Sequence, residues 1–222
     1  MKTYFIILLS SFIIPFIFSF EKQIFFIKNY KSVLKSILVV AIPYLIWDEI
    51  FAFNKIWGFS SERTVGLKIF NLPIEEILFF VIVPYALIFI YEVINFYLRD
   101  KTLQIDKRIY LASAIVFIIF SILFHSKTYT FTQFILTALF FISAFYLKWK
   151  ILETKNFWIL IFISYIPFFV VNYFLTSFPV VWYNQNEIIG FRVITIPVED
   201  FFYHFTLTSF YLLAYNYFKQ KR

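Results

Sequence analysis

The chain has 222 residues, of which 62% are hydrophobic and only 15% are charged, and its formal net charge is +7. This apolar surface is more than a soluble core of this size can bury, so the composition predicts an integral membrane protein. The chain has no cysteine and two histidines, which excludes disulfides, thiolate nucleophiles and a three-histidine metal site, while basic residues confined to short loops argue against nucleic acid as a partner.

The hydrophobic pattern predicts seven transmembrane helices. In chain order they are Thr3–Phe20, Val33–Phe53, Leu72–Leu98, Ile109–Phe124, Thr130–Leu147, Asn156–Leu175 and Ile196–Phe218. The first run follows Met1-Lys2 as a signal peptide would, but bulky residues occupy the place of a cleavage site, so we expect it to remain as a helix. No linker-like stretch divides the chain, which predicts a single all-α membrane domain.

The loops also predict an orientation. With seven spans, most of the 20 Lys and Arg residues fall on the side that carries the C-terminus. The positive-inside rule then places the C-terminus in the cytoplasm and the N-terminus outside, in a multi-pass protein of the cell (inner or plasma) membrane.

A short acidic motif occurs twice, each time at the start of an apolar run. Pro73-Ile74-Glu75-Glu76 and Pro197-Val198-Glu199-Asp200 lie 124 residues apart. The same offset aligns further pairs without a gap: Pro43 with Pro167, Asp48 with Asn172, Gly66 with Gly190, Lys68 with Arg192 and Tyr91 with Tyr215. Because ionisable groups are costly in a membrane, their duplication indicates a duplicated functional element.

The helix count turns this duplication into a domain organisation. Residues 1–98 are predicted to form a first three-helix repeat, residues 99–129 a connector with the fourth helix, and residues 130–222 a second three-helix repeat. Three spans plus a connecting span return the chain to its starting side, so the repeats are parallel. Both acidic motifs then begin helices at the outer side of the membrane.

The acidic motifs have two interpretations. A proline followed by acids is also what an ordinary helix N-terminus prefers, and Glu75 and Glu199 would then only cap their helices. Against this, Asp48-Glu49 places two more acids inside an apolar run, where capping does not apply. Aromatic residues surround the acids: Trp47, Phe79, Phe80, Phe201, Phe202 and Tyr203.

Adjacent residues on a helix diverge by about 100°, so neighbouring acids cannot point at one place. We therefore expect partnerships across helices, of Glu75 with Asp48 and of Glu199 with Asn172 or Asp200. Close carboxyl groups share protons, which suits delivery of a proton to a carbon–carbon double bond and removal of another nearby. Aromatic faces would stabilise a cation between the two steps.

At these residues the chain resembles a known family. The carrying stretches are Asn71-Leu72-Pro73-Ile74-Glu75-Glu76 with Asp48, Trp57 and Gly66, and Pro179-Val180-Val181-Trp182-Tyr183-Asn184, Gly190-Phe191-Arg192 and Pro197-Val198-Glu199-Asp200. They look like the lycopene cyclase domain, the integral-membrane heterodimeric type of carotenoid cyclase, here with both halves in one chain.

The resemblance implies the function and the site. It implies cyclisation of the linear ends of lycopene to β-ionone rings, giving γ- and then β-carotene, by an isomerase of the intramolecular lyase type without net redox change. The implied catalytic residues are Glu75 and Glu199, supported by Glu76, Asp200 and Asp48. The expected substrate contacts are Asn172, Trp47, Phe79, Tyr203 and Arg192. Asn172 replaces the carboxylate of Asp48, so the two halves are not chemically equivalent.

No cofactor and no metal are expected. Three glycines cannot form the glycine-rich loop by which soluble-type lycopene cyclases bind a flavin, and the aspartates are too scattered for a magnesium cluster. The chain ends at Arg222 without the phytoene synthase domain of some fungal relatives. The expected partners are the carotenoid substrate and membrane lipids, with association with itself or with other carotenoid-pathway enzymes left open.

Two other classes of protein remain as alternatives. A transporter or proton-translocating protein would also carry buried acids and parallel repeats. A non-catalytic membrane subunit would use the acids only as helix caps.

Overall fold

The computed structural model describes residues 3–221, which form seven α-helices joined by short connections. The helices are α1 (Thr3–Phe18), α2 (Tyr30–Phe53), α3 (Ile74–Tyr97), α4 (Arg108–Leu123), α5 (Thr128–Leu147), α6 (Lys155–Ser177) and α7 (Val198–Gln220). Single turns of 3-10 helix, Phe26–Asn29 and Lys150–Glu153, precede α2 and α6. Each predicted helix is present, with ends that differ by three residues or fewer.

Among the described residues, four helical segments are long and apolar enough to cross a membrane: Phe26–Phe53, Ile74–Tyr97, Thr128–Leu147 and Lys155–Ser177. The helices α1 and α4 are apolar but have only 16 residues each. The last helix, α7, has 23 residues but carries more polar side chains.

Between residues 3 and 221, six short strands lie in the connections, which the all-α prediction did not include. They are β1 (Trp57–Phe59), β2 (Lys68–Ile69), β3 (Leu72–Pro73), β4 (Val181–Tyr183), β5 (Arg192–Val193) and β6 (Ile196–Pro197). All pairings are antiparallel, β1 with β4, β2 with β3 and β5 with β6. Strands of two or three residues are too short to show an alternating hydrophobic pattern, which is why the sequence did not reveal them.

The β2–β3 and β5–β6 hairpins set where α3 and α7 begin. Pro73 pairs with Lys68, and Pro197 pairs with Arg192. Because each proline belongs to a strand, the helices begin at the residue after it, Ile74 and Val198. The predicted starts, Leu72 and Ile196, lie two residues earlier. A proline in this capping place has no N–H to offer, so the following acids cannot form a capping box with it.

The two hairpins have the same backbone geometry. Gly66 has φ of 95° and Gly190 has φ of 89°, values that glycine adopts without a steric penalty. Phe70 and Ile194 also have positive φ, 56° and 61°, at the first position of each two-residue turn. These positions are 124 residues apart, which is the offset found in the sequence.

Helices from the first half of the chain pack against helices from the second half. The helix α2 packs against α7, α3 packs against α6, and α1 and α5 pack against α3 and α7 respectively. The largest buried cluster lies among these helices and includes Phe80, Ile88, Phe140, Phe157 and Tyr211. Burial of these side chains therefore joins the first and second halves into one body.

Candidate active site

A cavity of about 330 Å³ lies between α1, α3, α6 and α7. Its polar end is covered by side chains of β1 and β4, among them Trp57 and Phe59. The hydrogen-bonding residues at this end come from six elements: Tyr4, Asp48, Glu76, Tyr129, Tyr183 and Asp200. The cavity thus collects carboxyl and phenol groups from distant parts of the chain.

The rest of the cavity is mostly apolar, and many of its lining residues are small or aliphatic. Ser10 and Ser11 of α1, Ala86 and Ile90 of α3, and Pro167 of α6 lie in its wall. A rise of about 1.5 Å per residue separates Glu76 from Ile90 by about 21 Å along α3, so the cavity is elongated. Ile14 also lines it and is 63% exposed, so the cavity reaches the outer surface of the helix bundle there.

The first carboxyl cluster joins α1, α2 and α3. Tyr4 donates a hydrogen bond of 2.6 Å to Oε2 of Glu76. The carboxyl groups of Glu76 and Asp48 are in hydrogen-bonding contact with each other. Tyr203 of α7 donates a longer bond of 3.3 Å to Oδ1 of Asp48. Both carboxyl groups are buried, with 7% and 2% of Glu76 and Asp48 exposed.

The second carboxyl cluster has one carboxyl group and three donors. Tyr129 donates to Oδ1 of Asp200 at 2.8 Å, and Tyr183 donates to Oδ2 at 2.8 Å. The amide of Asn172 donates to Oδ2 at 3.3 Å. Burial and the adjacent Asp200 carboxyl raise the pKa of Tyr183 well above its ordinary value, so this phenol stays a hydrogen-bond donor.

Glu75 and Glu199 are fully buried but lie outside the cavity wall. Oε1 of Glu75 accepts the backbone N–H of Val65 at 2.5 Å, and Oε1 of Glu199 accepts that of Ile189 at 2.8 Å. Glu199 also accepts a bond of 2.5 Å from the hydroxyl of Thr130. Each glutamate therefore connects the first turn of its helix to the chain that leads into its own hairpin.

The expected partnership of Glu75 with Asp48 is wrong, since Asp48 contacts Glu76 instead. In the second half Asn172 pairs with Asp200 and not with Glu199. The reason is the orientation of the first helical turn. A backbone amide before each hairpin binds the first acid of the motif, and the second acid, about 100° further round the helix, then faces the cavity. Glu49 also points away, because it accepts hydrogen bonds from Asn71 at the hairpin turn.

Three of the five expected substrate contacts lie in the cavity wall: Asn172, Phe79 and Tyr203. Trp47 packs behind the wall, with its ring centroid 5.6 Å from that of Tyr203. Arg192 lies outside the wall, where it donates to the carbonyl of Thr195 at 2.7 Å.

The sequence did not single out the tyrosines that hold the acids. Tyr4 and Tyr129 are 125 residues apart, one more than the offset of the motifs, so an alignment without gaps does not pair them. That shift hid their equivalence, although Tyr183 was part of a motif already noted. His204 also lines the cavity, and its Nε2 forms a hydrogen bond of 2.8 Å with the hydroxyl of Ser164.

Within residues 3–221, no group of three or more His, Cys, Asp or Glu side chains is arranged to hold a metal ion. The cavity instead offers carboxyl groups, phenols and aromatic faces. These groups can transfer protons and stabilise a positive charge.

The fold and the cavity define a class of protein: a helical protein with four segments able to cross a membrane and buried carboxyl groups at one end of an apolar cavity. The chain belongs to the lycopene cyclase family, because the sequence model of that family matches residues 1–94 and 126–218.

Fungal proteins named bifunctional lycopene cyclase/phytoene synthase are similar over shorter stretches. The protein of Gibberella fujikuroi is 33% identical over 89 residues, which are 36% of this chain and 15% of that protein. The protein of Leptosphaeria maculans is 28% identical over 75 residues, 30% of this chain and 13% of that protein. The protein of Aspergillus niger is 39% identical over 49 residues, 22% of this chain and 8% of that protein. The matches thus span a small part of these relatives, and no solved structure matches the chain.

Proposed function

We propose that the protein is a lycopene β-cyclase, an isomerase that closes the linear ends of lycopene into β-ionone rings, first to γ- and then to β-carotene. One observation carries the proposal: the buried carboxyl groups gather at one end of a long apolar cavity. A carotenoid end is a reactive alkene on a long apolar chain, and it matches this arrangement in both polarity and shape. The cavity reaches the bundle surface at Ile14, so a lipid-dissolved substrate has a route from the membrane.

The reaction needs an acid, a base and protection of a cation. A carboxyl group protonates the terminal double bond, the next double bond along the chain closes a six-membered ring on the resulting tertiary cation, and a proton leaves a ring carbon. Asp48, Glu76 and Asp200 are the carboxyl groups that line the cavity and can touch the substrate. Such acid–base steps typically contribute about 10²- to 10⁴-fold to a rate.

Aromatic rings enclose the polar end of the cavity. Trp57, Phe59, Phe79 and Tyr203 lie in its wall together with the phenols of the two clusters. Their faces stabilise a carbocation without reacting with it, and they keep out the water that would trap it. Asn172 contacts the substrate end and Asp200 together.

Glu75 and Glu199 have a positioning role in this proposal. Each binds an amide at the entry to its hairpin and so orients the acid that follows it. The sequence expectation that these two glutamates react with the substrate stays a prediction, which variants can test separately.

The proposal includes the topology. All seven helices span the cell membrane, with the N-terminus outside and the C-terminus in the cytoplasm, and residues 1–98 and 130–222 form parallel repeats joined by residues 99–129. The equal hairpins and the reciprocal packing of α2 on α7 and α3 on α6 support this arrangement. Because α1 and α4 are shorter than the other helices, they require local thinning of the bilayer or tilt of their neighbours.

The deciding experiment is expression in a bacterial host that accumulates lycopene, followed by pigment analysis. We expect β-carotene and a γ-carotene intermediate in cells that carry the wild-type chain. The double variant Asp48→Asn/Asp200→Asn is the matched control and should leave lycopene unchanged. Lycopene that persists despite wild-type protein in the membrane fraction would contradict the proposal.

A further inference from the structure

The two carboxyl clusters share one plan. Tyr4 binds Glu76 and Tyr129 binds Asp200, in each case from the start of the helix that packs beside the acid. The backbone repeats the relation, since the N–H of Tyr4 bonds the carbonyl of Arg63 at 3.1 Å and that of Tyr129 bonds Glu187 at 3.0 Å. Differences between the clusters can therefore be assigned to single substitutions.

The clusters differ in the length of the acid, Glu76 against Asp200, and at Phe79 against Tyr203. Two further substitutions change the hydrogen-bonding groups beside these acids. Asp48 of the first cluster corresponds to Asn172 of the second, and Phe59 corresponds to Tyr183. The ring of Phe59 stacks on Tyr4 at 6.5 Å and 12°, and that of Tyr183 stacks on Tyr129 at 6.0 Å and 12°. The first change replaces a second carboxyl group by an amide donor, and the second change adds a phenol donor.

These changes give the acids of the two clusters different hydrogen-bonding partners. Asp48 and Glu76 are in contact, and two negative charges at that distance oppose each other, so the pair retains a proton. Asp200 has no carboxyl partner of this kind and accepts hydrogen bonds from two phenols and an amide. Donors directed at a carboxylate stabilise its charged form.

We propose that the two halves form one composite site in which the Asp48–Glu76 pair donates the proton and Asp200 removes it. This inference rests on the proposed cyclase function. All three carboxyl groups line the same cavity, so each binding event cyclises one end of the substrate. The second end reacts only after the molecule has left and entered again in the opposite direction.

The transfers balance without an oxidant or reductant. The O–H bond of the carboxyl pair breaks, and its proton forms a C–H bond at the less substituted carbon of the terminal alkene. The next alkene along the chain, separated from the first by two CH₂ groups, then forms the ring C–C bond with the tertiary cation, and the positive charge moves to the methylated ring carbon. An Asp200 oxygen takes a proton from a neighbouring ring carbon, whose C–H electrons become the ring double bond. The proton gained by Asp200 returns to the carboxyl pair before the next turnover.

The division predicts two separable defects. A defect in the donor slows consumption of lycopene but leaves the position of the ring double bond unchanged. A defect in the acceptor lets the cation lose a proton elsewhere or take up water, so the products change. If a variant only disturbed folding, it would lower the amount of every product without changing the product ratio.

The test compares Glu76→Gln with Asp200→Asn in membranes supplied with lycopene. We expect Glu76→Gln to slow lycopene consumption by about 100-fold or more, with the wild-type product ratio in the residual turnover. We expect Asp200→Asn to slow consumption less and to yield ring double-bond isomers or cyclic alcohols. Unchanged products in Asp200→Asn, or changed products in Glu76→Gln, would overturn the assignment.

Milder variants cover the case in which an acid variant does not fold. Tyr183→Phe removes one donor from Asp200 and should shift the product ratio, whereas Tyr4→Phe removes one donor from Glu76 and should change only the rate. The reverse pattern would also overturn the assignment. Failure of the cyclase function itself is distinguishable, because wild-type membranes would then leave lycopene unchanged.

Discussion

The residues that line the cavity and the residues 124 positions away that correspond to them differ in side-chain volume. Positions that are small on the cavity side, such as Ala86 and Val171, correspond to Phe210 and Trp47 on the other side. Those aromatic residues pack against the main buried cluster. One of two equivalent spaces between the halves therefore leaves room for a ligand, and the other is filled by core packing.

The acidic motifs show the same division at the level of hydrogen bonds. Glu75 and Glu199 accept equivalent backbone amides, although Glu199 also accepts the hydroxyl of Thr130, whereas the groups around Glu76 and Asp200 differ. Features that hold the fold are thus the same in the two halves, and features that face the cavity have diverged. The following predictions test this separation, starting with the largest expected effect.

Giving Asp48 or Asn172 the residue of its counterpart should impair the reaction in both cases, but in different ways. Asp48→Asn removes one of the two paired carboxyl groups, so we expect lycopene consumption to fall by about 100-fold or more. Asn172→Asp places a second carboxyl group beside Asp200, which should change the product ratio as loss of the base does. Pigment analysis of membranes measures both.

Glu49→Gln is the control, because Glu49 adjoins Asp48 in sequence but bonds Asn71 instead of facing the cavity. Its rate per amount of membrane protein should stay close to that of the wild type. Equal losses in Asp48→Asn and Glu49→Gln would mean that the defect is in folding.

Filling the cavity should affect activity, and emptying its counterpart should affect stability. Ala86→Phe gives the cavity wall the phenylalanine that stands at the equivalent position, Phe210. We expect at least a tenfold loss of turnover, since small displacements of a substrate change rates by up to about 100-fold. Phe210→Ala should lower stability by up to about 3 kcal/mol, because this ring is only partly buried. Thermal unfolding in detergent separates the two results. An Ala86→Phe protein with full activity would show that the substrate does not occupy this cavity.

Neutralising the glutamates that bind the hairpins should have equal effects in both halves. Glu75→Gln and Glu199→Gln keep an acceptor for the amides of Val65 and Ile189, so the loss of stability should be about 1–3 kcal/mol in each. Turnover per folded molecule should remain within about tenfold, with unchanged products. Loss of turnover in well-folded protein would instead assign the chemistry to these glutamates, as the sequence first indicated.

The smallest effect is expected at the two hairpin glycines. Gly66→Ala and Gly190→Ala meet no steric clash, since no atom lies within 4 Å of the added carbon, but both must adopt positive φ. That conformation costs about 1–2 kcal/mol for an L-residue. Equal shifts in melting temperature would support the equivalence of the two hairpins, and a shift in only one of the two variants would contradict it.

The sequence alone determined the helices, the equivalence of the two acidic motifs and the family. Apolar runs such as Ile74–Tyr97 predict helices because a long segment in lipid must satisfy its own backbone hydrogen bonds. Gly66 and Gly190 indicated equivalent turns because other residues adopt positive φ at a cost.

Only the tertiary structure decided which of two adjacent acids faces the cavity. Glu75 and Glu76 look alike in sequence, and their directions depend on the hairpin amide that binds Glu75. The partners of the acids were also undetermined, since Tyr4 and Asp48 reach Glu76 from helices far apart in the chain. Hydrophobic periodicity specifies the buried face of a helix, but the rotation and the neighbours of that face come from packing between helices.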